Sequence, residues 1–313
     1  MDLKQIEYIL KIAEENNVTK AAEKLFISQS ALNQQLLKLE KELGAPLFFR
    51  TRNNWTLTEI GELYVQNAKE IMAIKKNTYN QIADMLDNKK RQFTLGLIPG
   101  RTVEMFATVY SRFLKRYPNI SISTVEIGSL RQQAMIADGK LSMGFLTLCA
   151  SQRNSRLHYY PICSEEFFIA VPPGHPLSRE LPCGMNTPPE IDIQRFKDDP
   201  FVMMHRESSS RAVSDQIFQE AGIEPKILFE TSSTGSILKF VSSGLACSLL
   251  PKYYILKLTP AERRNLTFYS LPSHPTWDML FASNELFYLS RPLKEFIRMS
   301  KEYWDDFYAS NGF

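Results

Sequence analysis

The chain has 313 residues, 44% of them hydrophobic and 23% charged, with 37 basic against 34 acidic side chains for a net charge of +3. At about 100–200 residues per domain this is two or three domains, and the composition excludes wholesale disorder. No run of about 18 apolar residues is present to span a membrane, the first residues lack the apolar core of a secretory signal, and Cys149, Cys163, Cys183 and Cys247 form no Cys-x-x-Cys pair, so a cytosolic protein without a disulfide framework or zinc ribbon is expected.

Residues 2–14 read as an amphipathic helix, with Leu3, Ile6, Ile9, Leu10 and Ala13 on one side and Asp2 as its cap. A short helix is expected from Thr19, as cap, through Ala21, Ala22 and Leu25. Ser28 then stands as N-cap of a helix over 29–43, whose buried side carries Leu32, Leu36, Leu39 and Leu43; Gly44 and Pro46 end it. Short helix, tight turn and longer helix make a helix-turn-helix. The outward face of the longer helix offers Gln29, Ser30, Asn33 and Gln34, side chains able to read base edges in a major groove. Composition alone leaves this open, because exposed helices carry Gln and Asn routinely. Residues 47–58 follow as two short strands around a polar tip with Arg50, Arg52, Asn53 and Asn54, the pattern of a wing that meets phosphates or the minor groove. A structural ion pair is the competing role for Arg50. Residues 1–58 hold eight basic and seven acidic side chains, so placement of charge, not its total, has to matter.

The run Ala21-Ala22-x-x-Leu25-x-x-Ser28-Gln29, then Leu39-Glu40-x-x-Leu43-Gly44-x-x-Leu47-Phe48-x-Arg50 and Leu57-Thr58-x-x-Gly61, resembles LysR-type transcriptional regulators. Ser30, Asn33 and Ile60 depart from the usual proline, serine and alanine; the first two lie on the expected DNA face. The resemblance implies double-stranded DNA as partner, a linker helix paired antiparallel in a homodimer, and a homotetramer holding two DNA sites. The residues themselves predict a long helix over 59–87, with Ile60, Tyr64, Ala68, Ile71, Ile74, Ile82 and Met85 in an imperfect heptad seam. It packs on a partner or on its own domain. Residues 88–92 are polar and charged and read as a hinge.

From Phe93 strands and helices alternate, which predicts an α/β domain with mainly parallel sheets. Arg116-Tyr117-Pro118-Asn119-Ile120, Pro173-Gly174-His175-Pro176-Leu177 and Val241-x-x-Gly244-Leu245-Ala246 resemble landmarks of the same family's effector domain. Two lobes of periplasmic-binding-protein type are implied, with a small ligand between them at strand ends and helix N-termini. Arg101, Thr102, Ser129, Thr147 and His205 are the residues expected to face a small, anionic effector, although each hydroxyl can equally cap its helix.

The prediction is therefore an α+β multidomain protein: a winged helix-turn-helix DNA-binding domain at 1–58, a linker and dimerisation helix at 59–87, a hinge at 88–92, and an effector-binding regulatory domain at 93–313. Lobe I is expected near 93–163 and 270–313 and lobe II near 164–269. No cofactor or metal is expected. Two other classes compete with this reading. An enzyme would leave the winged helix idle, and no Gly-x-Ser-x-Gly, Walker loop, Gly-x-Gly-x-x-Gly or His-Glu-x-x-His is present. A thiol sensor would use Cys163 and Cys183.

Overall fold

Residues 2–51, 54–86, 91–179 and 188–311 are described in a computed structural model. They fall into two compact units: residues 1–89 with 286–290, and residues 90–285 with 291–313. No helix among the described residues is long and apolar enough to cross a membrane.

The first unit begins with α1 (Leu3–Glu15), α2 (Val18–Leu25) and α3 (Gln29–Leu43). Asp2 caps α1 by accepting the Gln5 N–H at 2.7 Å. The cap of α2 is Asn17, not the expected Thr19: its carboxamide oxygen reaches both the Thr19 and Lys20 N–H groups, at 2.9 and 3.1 Å, and an asparagine two residues earlier satisfies two orphan donors where threonine would satisfy one. Ser28 accepts the Ala31 N–H at 3.2 Å, and Gly44 ends α3 in the left-handed conformation, φ +73°. Leu32, Leu36 and Leu39 are buried with Ile9, Ile12, Ala21 and Leu47. Leu43 shares their periodicity but lies at the last turn, beyond the core, and is exposed.

Strands β1 (Phe48–Arg50) and β2 (Trp55–Leu57) pair antiparallel as the wing. The Trp55 N–H donates to Asn16 O at 2.9 Å and ties the wing to the end of α1. Helix α4 (Glu59–Met85) is 27 residues long, about 40 Å at ~1.5 Å per residue. Thr58 caps it and also donates to Pro46 O at 2.8 Å. Val65 and Ala68 face the core, whereas Ile60, Leu63, Ile74, Ile82 and Met85 are exposed. Leu43, Ile60, Leu63, Tyr64, Asn67, Ala68 and Ile71 line an apolar groove of about 280 Å³. Residues 286–290 lie along the same helix, where the Tyr288 N–H donates to Asn77 Oδ1 at 3.0 Å; nothing in the sequence pattern signalled that.

The second unit alternates β3 (Arg91–Leu97), α5 (Arg101–Arg116), β4 (Ile120–Glu126), α6 (Ser129–Ala137) and β5 (Met143–Leu148), then β6 (Leu157–Val171), β7 (Pro200–Met204), α7 (Ser209–Glu220), β8 (Lys226–Thr231), α8 (Thr234–Ser242), β9 (Ser248–Pro251), α9 (Lys252–Leu256), α10 (Pro260–Arg263), β10 (Thr267–Tyr269), β11 (Thr276–Asn284) and α11 (Arg291–Asn311). The sheet is mixed, not mainly parallel. β3 pairs parallel with β4 and β5, but β11 runs antiparallel to β5 and β6, and β9 and β10 run antiparallel to β6. Strand β6 changes partners along its length: through Glu166 it pairs with β11, and from Phe167 with β9 and β10. One side of that change is a core around Leu146, Leu148, Leu157 and Leu280, the other a core around Phe167, Phe196, Phe201, Phe218 and Trp277.

Candidate functional site

The first candidate surface is the outer face of α3. Gln29, Ser30 and Gln34 are exposed and Asn33 half-buried. Ser30 Oγ meets Ser28 Oγ at 3.1 Å; among the described residues the carboxamides of Gln29, Asn33 and Gln34 make no hydrogen bond and stay available to an outside partner. Arg52 and Asn53 lie outside the described residues. Arg50, for which a DNA-backbone contact and a structural ion pair were both open, is ion-paired with Glu40, and its guanidinium lies over Trp55, 5.3 Å from the ring centre. Glu40 is nearly buried, and its other oxygen accepts the Leu47 N–H at 2.8 Å. One carboxylate thus holds the strand entering the wing at two points, which explains the Glu40, Leu47 and Arg50 spacing physically. The sequence placed Glu40 in a motif without a role.

The second candidate site joins three elements of the other unit. Thr147 is the last residue but one of β5, and its N–H donates to Ser129 Oγ, at the start of α6, at 3.1 Å. Its hydroxyl meets Ser209 Oγ, at the start of α7, at 3.3 Å. All three residues are buried. Two helix N-termini therefore converge on one threonine, and each presents free N–H groups and the positive end of its dipole. Ser209 was not singled out in the sequence.

The other expected effector residues stand elsewhere. Thr102 is used by its own backbone: its hydroxyl donates to Ile98 O at 2.9 Å and accepts the Ile98 N–H at 2.8 Å. His205 is exposed, with Nδ1 3.9 Å from Glu230. Glu230 belongs chiefly to Arg211, which donates to it at 2.5 Å and holds its carboxyl below the usual range.

Arg101 is the main correction. Its side chain is 1% exposed, and its guanidinium is ion-paired at 2.6 Å with Glu165, itself 0% exposed. The rings of Tyr253, Trp304 and Trp277 lie 4.6, 5.4 and 5.6 Å from it. Glu165 also accepts from the Tyr253 N–H at 2.5 Å, Trp277 Nε1 at 2.7 Å and the Tyr308 hydroxyl at 2.9 Å. Burial works against the Arg101 charge, but Glu165 more than offsets it and holds the guanidinium protonated well above its ordinary value. An arginine whose charge is already neutralised inside an aromatic cage is not offered to a ligand.

Cys163 Sγ sits 3.7 Å from Met279 Sδ, and burial, with Glu165 nearby, pushes the thiol up to about 12. A reactive thiol needs the opposite shift. Cys183 lies outside the described residues. His175, Asp199 and Cys247 come close enough to suggest a metal site. The Leu177 N–H, however, donates to His175 Nδ1 at 3.2 Å, so Nε2 carries the proton that faces Asp199 at 3.2 Å and has no lone pair for an ion. Burial also pushes the Cys247 thiol up to about 12.

Comparison with known proteins gives the family. Residues 3–62 match the bacterial regulatory helix-turn-helix protein, lysR family, and residues 87–305 match the LysR substrate binding domain. The chain is 30% identical to an uncharacterized HTH-type transcriptional regulator, YwbI of Bacillus subtilis, over all of both chains. It is 25% identical to the HTH-type transcriptional regulator AlsR of the same organism, over 80% of each. A full-length OxyR variant from Pseudomonas aeruginosa shares the fold at a TM-score of 0.67 and 21% identity, over 96% of this chain and 94% of that one. Full-length CbnR complexed with its target DNA does so at 0.55 and 19%, over 96% and 99%. The chain belongs to the LysR family: it is a DNA-binding transcriptional regulator with a substrate-binding domain, not an enzyme.

Proposed function

We propose that this regulator acts in the cytosol and reads a specific DNA sequence by laying Gln29, Ser30, Asn33 and Gln34 of α3 in the major groove. Arg52 and Asn53 contribute contacts to the backbone or the minor groove, and Arg50 holds β1 to Glu40 at the end of α3. The observation that carries this reading is the set of carboxamides on α3, exposed or half-exposed, on a helix capped by Ser28, and without a hydrogen bond among the described residues. Asn and Gln pair with adenine through two hydrogen bonds, each good pair discriminating by about 1–3 kcal/mol. The exposed apolar side of α4 supports a homodimer through this helix, and a homotetramer on two DNA sites follows the family pattern.

A small anionic effector controls the binding. With Arg101 withdrawn, the converging starts of α6 and α7 at Ser129, Thr147 and Ser209 are the anion-binding element. The fitting experiment is DNase I footprinting of the full chain upstream of its own gene, with and without a pool of small carboxylates. A long protected tract that shifts on adding the pool is expected. Protection indifferent to every carboxylate would remove the anionic effector, and no binding to any sequence selected at low salt would remove the α3 reading. Gln34→Ala is expected to lower base preference about tenfold while non-specific affinity stays.

A further inference from the structure

Phe26, in the turn between α2 and α3, is 94% exposed, the highest value among the exposed large apolar residues of the described chain. Its backbone is left-handed, φ +56° and ψ +40°, a region that glycine and asparagine enter readily and bulky side chains do not. The turn itself needs no aromatic ring. It is held by the Phe26 N–H, which donates to Glu23 O at 3.1 Å, and by the Ile27 N–H, which donates to Ala22 O at 3.1 Å. The neighbouring Ile27 supplies the packing by lying against the core. A phenyl group therefore stands in water, on a strained backbone, two residues ahead of the cap of α3 and three ahead of Gln29 in the chain.

We infer that Phe26 is a specificity-determining residue that packs its ring on the C5-methyl of a thymine at the edge of the major groove. In helix-turn-helix complexes the N-terminal end of the second helix meets base edges, so the turn before it lies at the groove's rim. A phenyl ring offers no hydrogen bond, and the thymine methyl is the apolar group that base pairs present in the major groove. Covering both removes apolar surface from water, which the free protein does nowhere for this ring. The protein then prefers thymine to cytosine or uracil at one position, a preference carried by no carboxamide of α3. This rests on α3 being the recognition helix.

The test uses the full chain and a duplex that it selects from random sequence. Each thymine is replaced in turn by deoxyuridine, which deletes one methyl group, and affinity is titrated by fluorescence anisotropy at fixed salt. The wild type should lose about fourfold at one thymine, the factor that burying one methyl supplies. Phe26→Ala should bind the parent duplex about fourfold more weakly and lose nothing further there. Phe26→Gly should behave alike on DNA while melting at the same or a higher temperature, which separates the contact from the fold. The proposal is overturned if Phe26→Ala responds to the missing methyl as the wild type does, if it weakens every sequence equally, or if it changes only the oligomeric state. Gln34→Ala distinguishes the causes: altered base preference there with an indifferent Phe26→Ala leaves α3 in the groove and removes Phe26 alone, whereas indifference in both removes the α3 reading.

Discussion

Glu165→Ala is expected to destabilise the regulatory unit by about 3–5 kcal/mol, the range for breaking a buried ion pair from one side. Four donors converge on this carboxylate: Arg101 Nη2, Trp277 Nε1, the Tyr308 hydroxyl and the Tyr253 backbone N–H. Alanine removes the carboxylate from all four in a space that water does not reach, and Arg101 Nη2 keeps only the neutral Tyr308 hydroxyl and Met279 Sδ. It also strands the Arg101 charge, whose Nε and Nη1 already have no hydrogen-bond partner and rely on the surrounding rings. Urea denaturation of the full chain, followed by tryptophan fluorescence, measures this directly, because Trp277 and Trp304 lie in the cage. The paired change Arg101→Met with Glu165→Leu should recover most of the loss, since two apolar groups of similar size leave no uncompensated charge. A loss below about 1 kcal/mol in the single variant would mean that the pair is solvated, and the account of Arg101 given above would fall.

Gly61→Ala should cost the DNA-binding unit about 3 kcal/mol, at the upper end of what overpacking does. A Cβ at this position falls inside the contact radius of Leu47 O and lies 3.1 Å from Leu57 Cδ2. The obstacle is main chain. Leu47 O is fixed by accepting the Thr58 N–H at 3.0 Å, and the Leu47 N–H by Glu40 at 2.8 Å, so it cannot step aside as a flexible side chain would. The variant must push α4 away from the wing. Thermal melting, with Trp55 reporting on the wing, should show the loss, and DNA affinity should fall with it. Melting within about 1 kcal/mol of the wild type would show that the wing and α4 move apart freely.

These two positions mark how far the sequence could be read. Gly61 stood in a motif whose spacing announced the winged helix-turn-helix, and α3 agrees with its expected bounds because serine and glycine caps are local signals. Local chemistry also explains the one misplaced cap: Asn17 and Thr19 are both capping residues two positions apart, and the carboxamide of Asn17 takes the Thr19 and Lys20 N–H groups, which starts the helix before Thr19. Arg101 was misread for a non-local reason. A cation at a strand-to-helix corner looks ligand-facing until its partner is known, and Glu165 sits on another strand, pointing inward among apolar residues where a carboxylate is not expected. The lobe boundary expected near 163/164 falls inside β6, one continuous strand that exchanges neighbours between Glu166 and Phe167. Ser129 and Thr147 were named from their strand ends, but their meeting with Ser209 depends on how the two cores close on each other, which no periodicity encodes.

The pairing of β6 with β11 has a consequence for the order in which the molecule can be made. The helix-turn-helix core closes among residues 9–65, so it can fold as soon as they leave the ribosome. The central strand β6 must wait for β11, and its Glu165 for Tyr308 in the last helix. At about 5–20 residues per second, the more than two hundred residues between take tens of seconds to synthesise. For that interval a nascent chain carries a finished DNA-binding head on an unfinished regulatory body, with Glu165 still open to water.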